Sequence, residues 1–220
     1  MLYIVATPIG NLNDITLRAL ETLKAVDIIA CEDTRHTSIL LNHYQIQKPL
    51  LSFHSHSGAA KVEKILELLG SGKNIALVSD AGTPGISDPG YVVIQAALKH
   101  NIQIVPIPGP SAFLTALSAS GLPTDKFVYL GFLPIKKGRQ TLFKKITEEE
   151  RTVVFYESPH RILKTLEAFE NALPPTAHIV VAKELTKIYE KFYRGTPSQI
   201  IEQLTKDGIR GEYVVMIKNK

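Results

Sequence analysis

Ile75-Ala76-Leu77-Val78-Ser79-Asp80-Ala81-Gly82-Thr83-Pro84-Gly85-Ile86-Ser87-Asp88-Pro89-Gly90 is a short apolar run that gives way to loop chemistry. The first four residues have the length and unbroken apolarity of a strand buried on both faces, the form strands take in a parallel sheet. Ser79 and Asp80 end the run, and Gly82, Pro84, Gly85, Pro89 and Gly90 impose turns until Tyr91 opens a helix. Strand-to-helix connections usually need about 2 to 6 residues, and this one is longer. A loop at the carboxyl end of a parallel strand is where open α/β sheets hold ligands.

Outward from this stretch, apolar strands alternate with segments of helical period. Strands are expected at 3–6, 27–31, 50–53 and 102–106, and helices at 16–26, 34–44, 59–69 and 91–100, with Leu17, Leu20 and Leu23 sharing a face of the first helix. Such alternation builds a mostly parallel sheet with helices on both faces. At Gly121-Leu122-Pro123-Thr124-Asp125 the composition turns polar and loop-like, which divides a first domain, 1–121, from a second, 122–220. In the second, strands are expected at 127–131, 152–156, 178–183 and 212–218, and helices at 139–146, 161–172 and 198–206. Short strands separated by single helices suggest antiparallel pairs and a mixed sheet. The expected class is α/β, with two α/β/α domains.

The chain has 45% hydrophobic and 21% charged residues, an ordinary soluble globular balance that supplies a sizeable core. No apolar run approaches the roughly 20 residues of a membrane helix. Met1-Leu2-Tyr3-Ile4-Val5 lacks the basic start of a signal peptide, so no membrane association and a cytoplasmic location are expected. The single Cys31 lies in an apolar run, which makes it a buried thiol and excludes a disulfide framework. A net charge of +4 permits a polyanionic partner. Lys136, Lys137, Arg139, Lys144 and Lys145 cluster, but Glu148, Glu149 and Glu150 follow, so a solvated charged face fits as well.

The loop Thr7-Pro8-Ile9-Gly10 after the first strand has neither G-x-G-x-x-G nor G-x-x-x-x-G-K-[ST], which removes the main support for dinucleotide or nucleoside triphosphate binding. Glu32-Asp33-Thr34-Arg35-His36 ends the second strand. Asp33 has the position of a helix cap, but capping accounts for only one of two acids set beside an arginine and a histidine. This cluster suits a polar substrate or a proton transfer. His54-Ser55-His56 has the form of a metal-ligand pair without an acidic or cysteine partner at usual spacing, so surface or substrate-contacting histidines are expected there and no metal. Ser111 in Pro108-Gly109-Pro110-Ser111-Ala112 fails the G-x-S-x-G pattern and is read as a cap or ligand contact. Ser158-Pro159 reads as a helix cap followed by a helix-starting proline, and Lys183-Glu184 as an ion pair.

Taken together, these segments resemble the tetrapyrrole methylase superfamily and, within it, the ribosomal RNA small-subunit methyltransferase I family. The matching residues are Ala6-Thr7-Pro8-Ile9-Gly10-Asn11-Leu12, Asp14-Ile15-Thr16, Cys31-Glu32-Asp33-Thr34-Arg35, the stretch from Ser79 to Gly90, Pro108-Gly109-Pro110-Ser111-Ala112, Tyr156-Glu157-Ser158-Pro159-His160-Arg161 and Lys183-Glu184-Leu185-Thr186-Lys187, in order along the chain. The resemblance implies S-adenosyl-L-methionine bound in a cleft between two α/β domains, usually in a homodimer. It implies methyl transfer to the 2′-hydroxyl of a cytidine in small-subunit (16S) ribosomal RNA, with that RNA or the 30S subunit as partner. Cofactor contacts are expected at Pro8, Ile9, Asp80, Ala81, Gly82, Thr83, Ser111, Ala112, Tyr156 and Ala182. The proton chemistry is assigned to Glu32 or Asp33 with Arg35 beside them, and substrate contacts to Arg35, His36, His54 and Arg161. The segment Phe53-His54-Ser55-His56-Ser57-Gly58 departs from the acidic, Asn-containing pattern usual there, and typical members continue beyond the equivalent of Lys220. The alternatives are a tetrapyrrole or diphthine-type methyltransferase of the same superfamily, and a non-enzymatic RNA-binding assembly factor.

Overall fold

The computed structural model describes residues 1–53 and 59–219, so His54 and His56 lie outside the described residues. The chain divides into two compact units, Met1–Ser111 and Ala112–Lys220.

In the first unit, strands β1 (Leu2–Val5), β2 (Ile28–Cys31), β3 (Leu50–Ser52), β4 (Ile75–Leu77) and β5 (Ile104–Ile107) form a sheet of order β3-β2-β4-β1-β5. Every pairing in it is parallel. Pro106 lacks a backbone N–H and is tolerated because β5 lies at the sheet edge. Alternation sends Val5, Ile29, Cys31, Ala76 and Val78 to one face, packed with Ala19 and Leu23 of α1 (Leu17–Ala25) and Leu40 and Leu41 of α2 (Thr34–His43). Leu2, Ile4, Ala30, Ile75 and Leu77 go to the other, packed with Ile65 and Leu69 of α3 (Ala59–Gly70) and Val93 and Ala97 of α4 (Gly90–Lys99). Leu17 does not join the apolar face of α1. It sits at the first helical position, just past the Thr16 cap, and is 79% exposed. Cys31 is fully buried, and that burial pushes its thiol pKa up.

The second unit has a mixed sheet of order β6-β7-β10-β8-β9, built from β6 (Phe127–Phe132), β7 (Thr152–Glu157), β8 (His178–Lys183), β9 (Lys191–Gly195) and β10 (Tyr213–Lys218). Only β6 and β7 pair in parallel. Helices α6 (Arg139–Glu148), α7 (Ile162–Glu170) and α8 (Pro197–Asp207) cover one face through Ile146, Ile162, Leu166, Phe169, Ile200 and Leu204.

Two features of this unit differ from expectation. A short helix, α5 (Ala112–Ser118), packs on β7 and β10 and stacks Phe113 on Tyr129 at 4.3 Å, so the units divide at Ser111, ahead of the polar stretch at 121–125. Ser158 does not cap α7. Its carbonyl accepts from the N–H groups of Arg161 and Ile162, closing a turn, and α7 starts with Arg161 at the cap position.

Candidate active site

The sheet order places the site. Strand β2 leads to α2 on one face and its neighbour β4 leads to α4 on the other, so their connections diverge and leave a crevice at the carboxyl ends of β2 and β4. A shallow depression of about 410 Å³ lies there, lined by Glu32, Asp33, Thr34, Arg35, Ser52 and Asp80. The backbone N–H of Asp33 donates to Asp80 Oδ1 at 3.0 Å, joining the two strand ends.

The two adjacent acids differ in state. Asp33 Oδ1 caps α2 by accepting from the Arg35 N–H at 2.8 Å, and its oxygens also receive Arg35 Nε at 3.1 Å and Nη2 at 2.6 Å. These bonds hold the Asp33 carboxyl well below the usual carboxylate range. Among the described residues, the Glu32 carboxylate has no hydrogen-bond or ion-pair partner. Partial burial first, and then the negative charges of Asp80 and Asp88, push its pKa up. Arg35 is 90% exposed and spends only Nε and Nη2 on Asp33, which leaves its other N–H groups facing solvent. His36 is exposed on the same turn.

Beside this depression, the loops after β1, β4 and β5 are knit into one surface. Thr7 and Gly82 exchange backbone hydrogen bonds of 2.9 and 3.0 Å, Thr7 Oγ1 donates to the Ser79 carbonyl at 3.1 Å, and Thr83 Oγ1 donates to the Pro110 carbonyl at 3.2 Å. Gly82 has φ +78°, and a Cβ there would fill the space between Ile9 Cγ2 and the Pro110 carbonyl, at 3.5 and 3.7 Å. Pro8, Ile9, Gly82 and Thr83 therefore come together with the Pro110-Ser111 turn, while Ala81 is exposed. Asp88, to which residue types alone gave no role, folds the long Gly- and Pro-rich loop. Its carboxylate accepts from the Gly85 N–H at 2.8 Å and the Gly90 N–H at 2.7 Å. The available signal was an Asx-type acid between two glycines.

In the second unit, Tyr156 is half-buried on β7 and Ala182 is fully buried on β8. Arg161 turns inward. Its Nη2 lies 2.7 Å from Glu157 Oε1 and its Nη1 donates to the Leu133 carbonyl at 2.9 Å, so the geometry makes it an anchor for the loop after β6. Glu157 is fully buried and also accepts from the Ser158 N–H and Thr165 Oγ1. Among the described residues, no His, Cys, Asp and Glu group could hold a metal, and no helix is long and apolar enough to cross a membrane.

Residues 1–201 match the family model for tetrapyrrole (corrin/porphyrin) methylases. A Synechocystis protein named Ribosomal RNA small subunit methyltransferase I is 50% identical over 218 residues, spanning 99% of this chain and 78% of that protein. Among solved structures, a cobalt precorrin-4 methyltransferase of cobalamin biosynthesis has a TM-score of 0.74 at 18% identity, over 99% of this chain and 94% of that one. A uroporphyrin-III C-methyltransferase from Thermus thermophilus, solved with S-adenosyl homocysteine, has a TM-score of 0.66 at 15% identity, over 99% and 96%. These structural likenesses carry the fold, while the sequence identity over 99% of this chain carries the closer kinship. The chain belongs to the tetrapyrrole methylase family, alongside the ribosomal RNA small subunit methyltransferase I proteins.

Proposed function

We propose that this protein transfers a methyl group from S-adenosyl-L-methionine to the ribose 2′-hydroxyl of a cytidine in small-subunit ribosomal RNA. What supports the reading is the 50% identity to a Ribosomal RNA small subunit methyltransferase I protein, together with the division of labour at the end of β2, where Asp33 is locked to Arg35 and Glu32 stands unpaired among the described residues.

The residues fit the cofactor. The loops at 7–10, 79–90 and 108–111 contain no lysine or arginine but include the negative charges of Asp80 and Asp88, which suit a sulfonium nucleoside better than a phosphate. Gly82, at φ +78° and bonded through its backbone to Thr7, lets the loops after β1, β4 and β5 close against one another and fixes the surface that a ligand would meet. Pro8, Ile9, Asp80, Ala81, Gly82, Thr83 and Ser111 of the first unit are assigned to cofactor contact.

When bound, S-adenosyl-L-methionine supplies an electrophilic methyl group on a positively charged sulfur. Glu32 accepts the proton that the ribose hydroxyl loses as its oxygen gains the methyl. A carboxylate with a raised pKa suits this because it binds that proton more tightly than an ordinary glutamate. Asp33 fixes Arg35, and the free N–H groups of Arg35, with His36, meet the RNA backbone. The protein works as a homodimer in the cytoplasm, and light scattering of the purified protein tests the dimer through its mass.

Incubation with labelled S-adenosyl-L-methionine and unmodified small subunits, followed by nuclease digestion and mass spectrometry, tests the proposal. The expected product is 2′-O-methylcytidine. Label on a corrinoid precursor alone, or no label in RNA, would overturn the reading.

A further inference from the structure

We propose that residues 132–137 form a landing surface for a single-stranded stretch of the RNA substrate, with Phe132 stacking on a base and Lys136 and Lys137 meeting backbone phosphates. The inference rests on ribosomal RNA being the substrate and adds where the strand lies on the second unit.

Phe132 closes β6 with 57% of its surface exposed, and Ile135 is 74% exposed. The register between β6 and β7 shifts between Tyr129 and Phe132, where Gly131 takes φ +61°, and this irregularity re-aims the strand end. The Phe132 ring lies 5.3 Å from that of Tyr156. Tyr156 meets Tyr129 edge-on at 5.4 Å, and Tyr129 stacks on Phe113 at 4.3 Å. Phe132 is thus the exposed end of a chain of packed rings, held in place before any ligand arrives.

The loop backbone is held as firmly. The Leu133 carbonyl accepts from Arg161 and the Pro134 carbonyl accepts from Arg139 Nη1 at 3.0 Å, and both guanidiniums lean on the buried Glu157. With the arginines turned inward, the outward side chains are Phe132, Ile135, Lys136 and Lys137.

Among the described residues, Lys136 and Lys137 enter no ion pair. The acidic run does not neutralise them, because Glu148 lies at the far end of α6, about 15 Å away along a ten-residue helix, and Glu149 is paired with Arg151 at 2.8 Å. The lysines stand just before the N-terminus of α6, where the helix dipole disfavours cations and no acid occupies the first turn. A bound anion relieves that misfit. The cofactor carries no phosphate to do so, whereas an RNA strand offers a base face and phosphates together.

The test measures retention of an unmodified small-subunit ribosomal RNA transcript by the full chain across a salt series, with S-adenosyl-L-methionine affinity measured in parallel by calorimetry. Phe132→Leu is expected to weaken RNA binding roughly 5- to 150-fold, and Phe132→Trp to restore it. Lys136→Ala with Lys137→Ala is expected to reduce the slope of log affinity against log salt by about 1.4, at roughly 0.7 for each phosphate that is no longer neutralised. Cofactor affinity and melting temperature should stay at the parent values. Parent-like RNA binding by these variants, or loss of cofactor affinity in step with RNA affinity in Phe132→Leu, would overturn the inference while leaving the rRNA reading standing. If the parent protein retains neither that transcript nor unmodified small subunits, both fall together.

Discussion

The Asp33 backbone N–H and the Asp80 carboxylate, 3.0 Å apart, join the ends of β2 and β4 where the connections of the two strands diverge. Asp80 thereby sets the position of the Glu32-Asp33 turn. Asp80→Ala leaves a partly buried N–H without its charged acceptor and is expected to destabilise the first unit by about 1.5 kcal/mol. Asp80→Asn keeps an acceptor oxygen and should lose less. Urea titration followed by circular dichroism measures both.

Glu32 should reveal itself through a trade between stability and turnover. Its folded pKa lies above the ordinary value of 4.5, so the folded state binds the proton more tightly than the unfolded state. Stability therefore falls as pH rises from about 4.5 through the raised pKa, and the penalty is complete above it. Glu32→Gln removes that penalty. Its melting temperature should match or exceed the parent's at pH 7, while methyl transfer falls by about 10²- to 10⁴-fold. In the parent, single-turnover rate should rise with pH as Glu32 ionises. A Glu32→Gln variant with near-parent turnover would remove the base assignment.

Asp33 has the opposite sign. Its carboxyl is held below the ordinary value of 3.8 by the Arg35 side chain and backbone, so the stability it lends is present above that value and lost as pH falls through the folded pKa. Asp33→Ala should lower the melting temperature at pH 7 by about 2 to 4 °C through loss of the α2 cap, and Asp33→Ser should recover most of it. If methyl transfer in Asp33→Ser stays within about tenfold of the parent, Asp33 is a positioning residue, as its pairing implies.

Arg161 is expected to matter for folding before RNA. Arg161→Ala strips a direct partner from the fully buried Glu157 and should cost about 3 kcal/mol in guanidinium unfolding. Pairing the change with Glu157→Gln should recover part of that loss, a coupling that an arginine acting only on RNA phosphates would not produce.

The strands of the first unit were legible because a strand buried on both faces is written as an unbroken apolar run, and the turns after β1 and β4 carry their own Gly and Pro punctuation. α5 was not, since seven residues hold too few turns for a period to stand out. Ser158-Pro159 misled because a cap and a turn use the same residues, and only the bonds to the Ser158 carbonyl separate them. The candidate site divided in the same way. The acid cluster and the phosphate-free loops could be read from residue types. Which acid is paired depends on where Arg35 folds back, and whether Arg161 faces inward depends on the burial of Glu157, neither of which a residue type records.

The position of β10 bears on how the protein is made. This strand is the last along the described chain, yet it lies in the middle of the second sheet, pairing with β7 on one side and β8 on the other. During synthesis the first unit has all its strands early and can close its sheet while translation continues. The second must wait with β7 and β8 unjoined until residues 213–218 have emerged. A ribosome that stalls shortly before codon 213 would therefore release a finished first half tethered to open sheet edges, the form of this protein most in need of a chaperone.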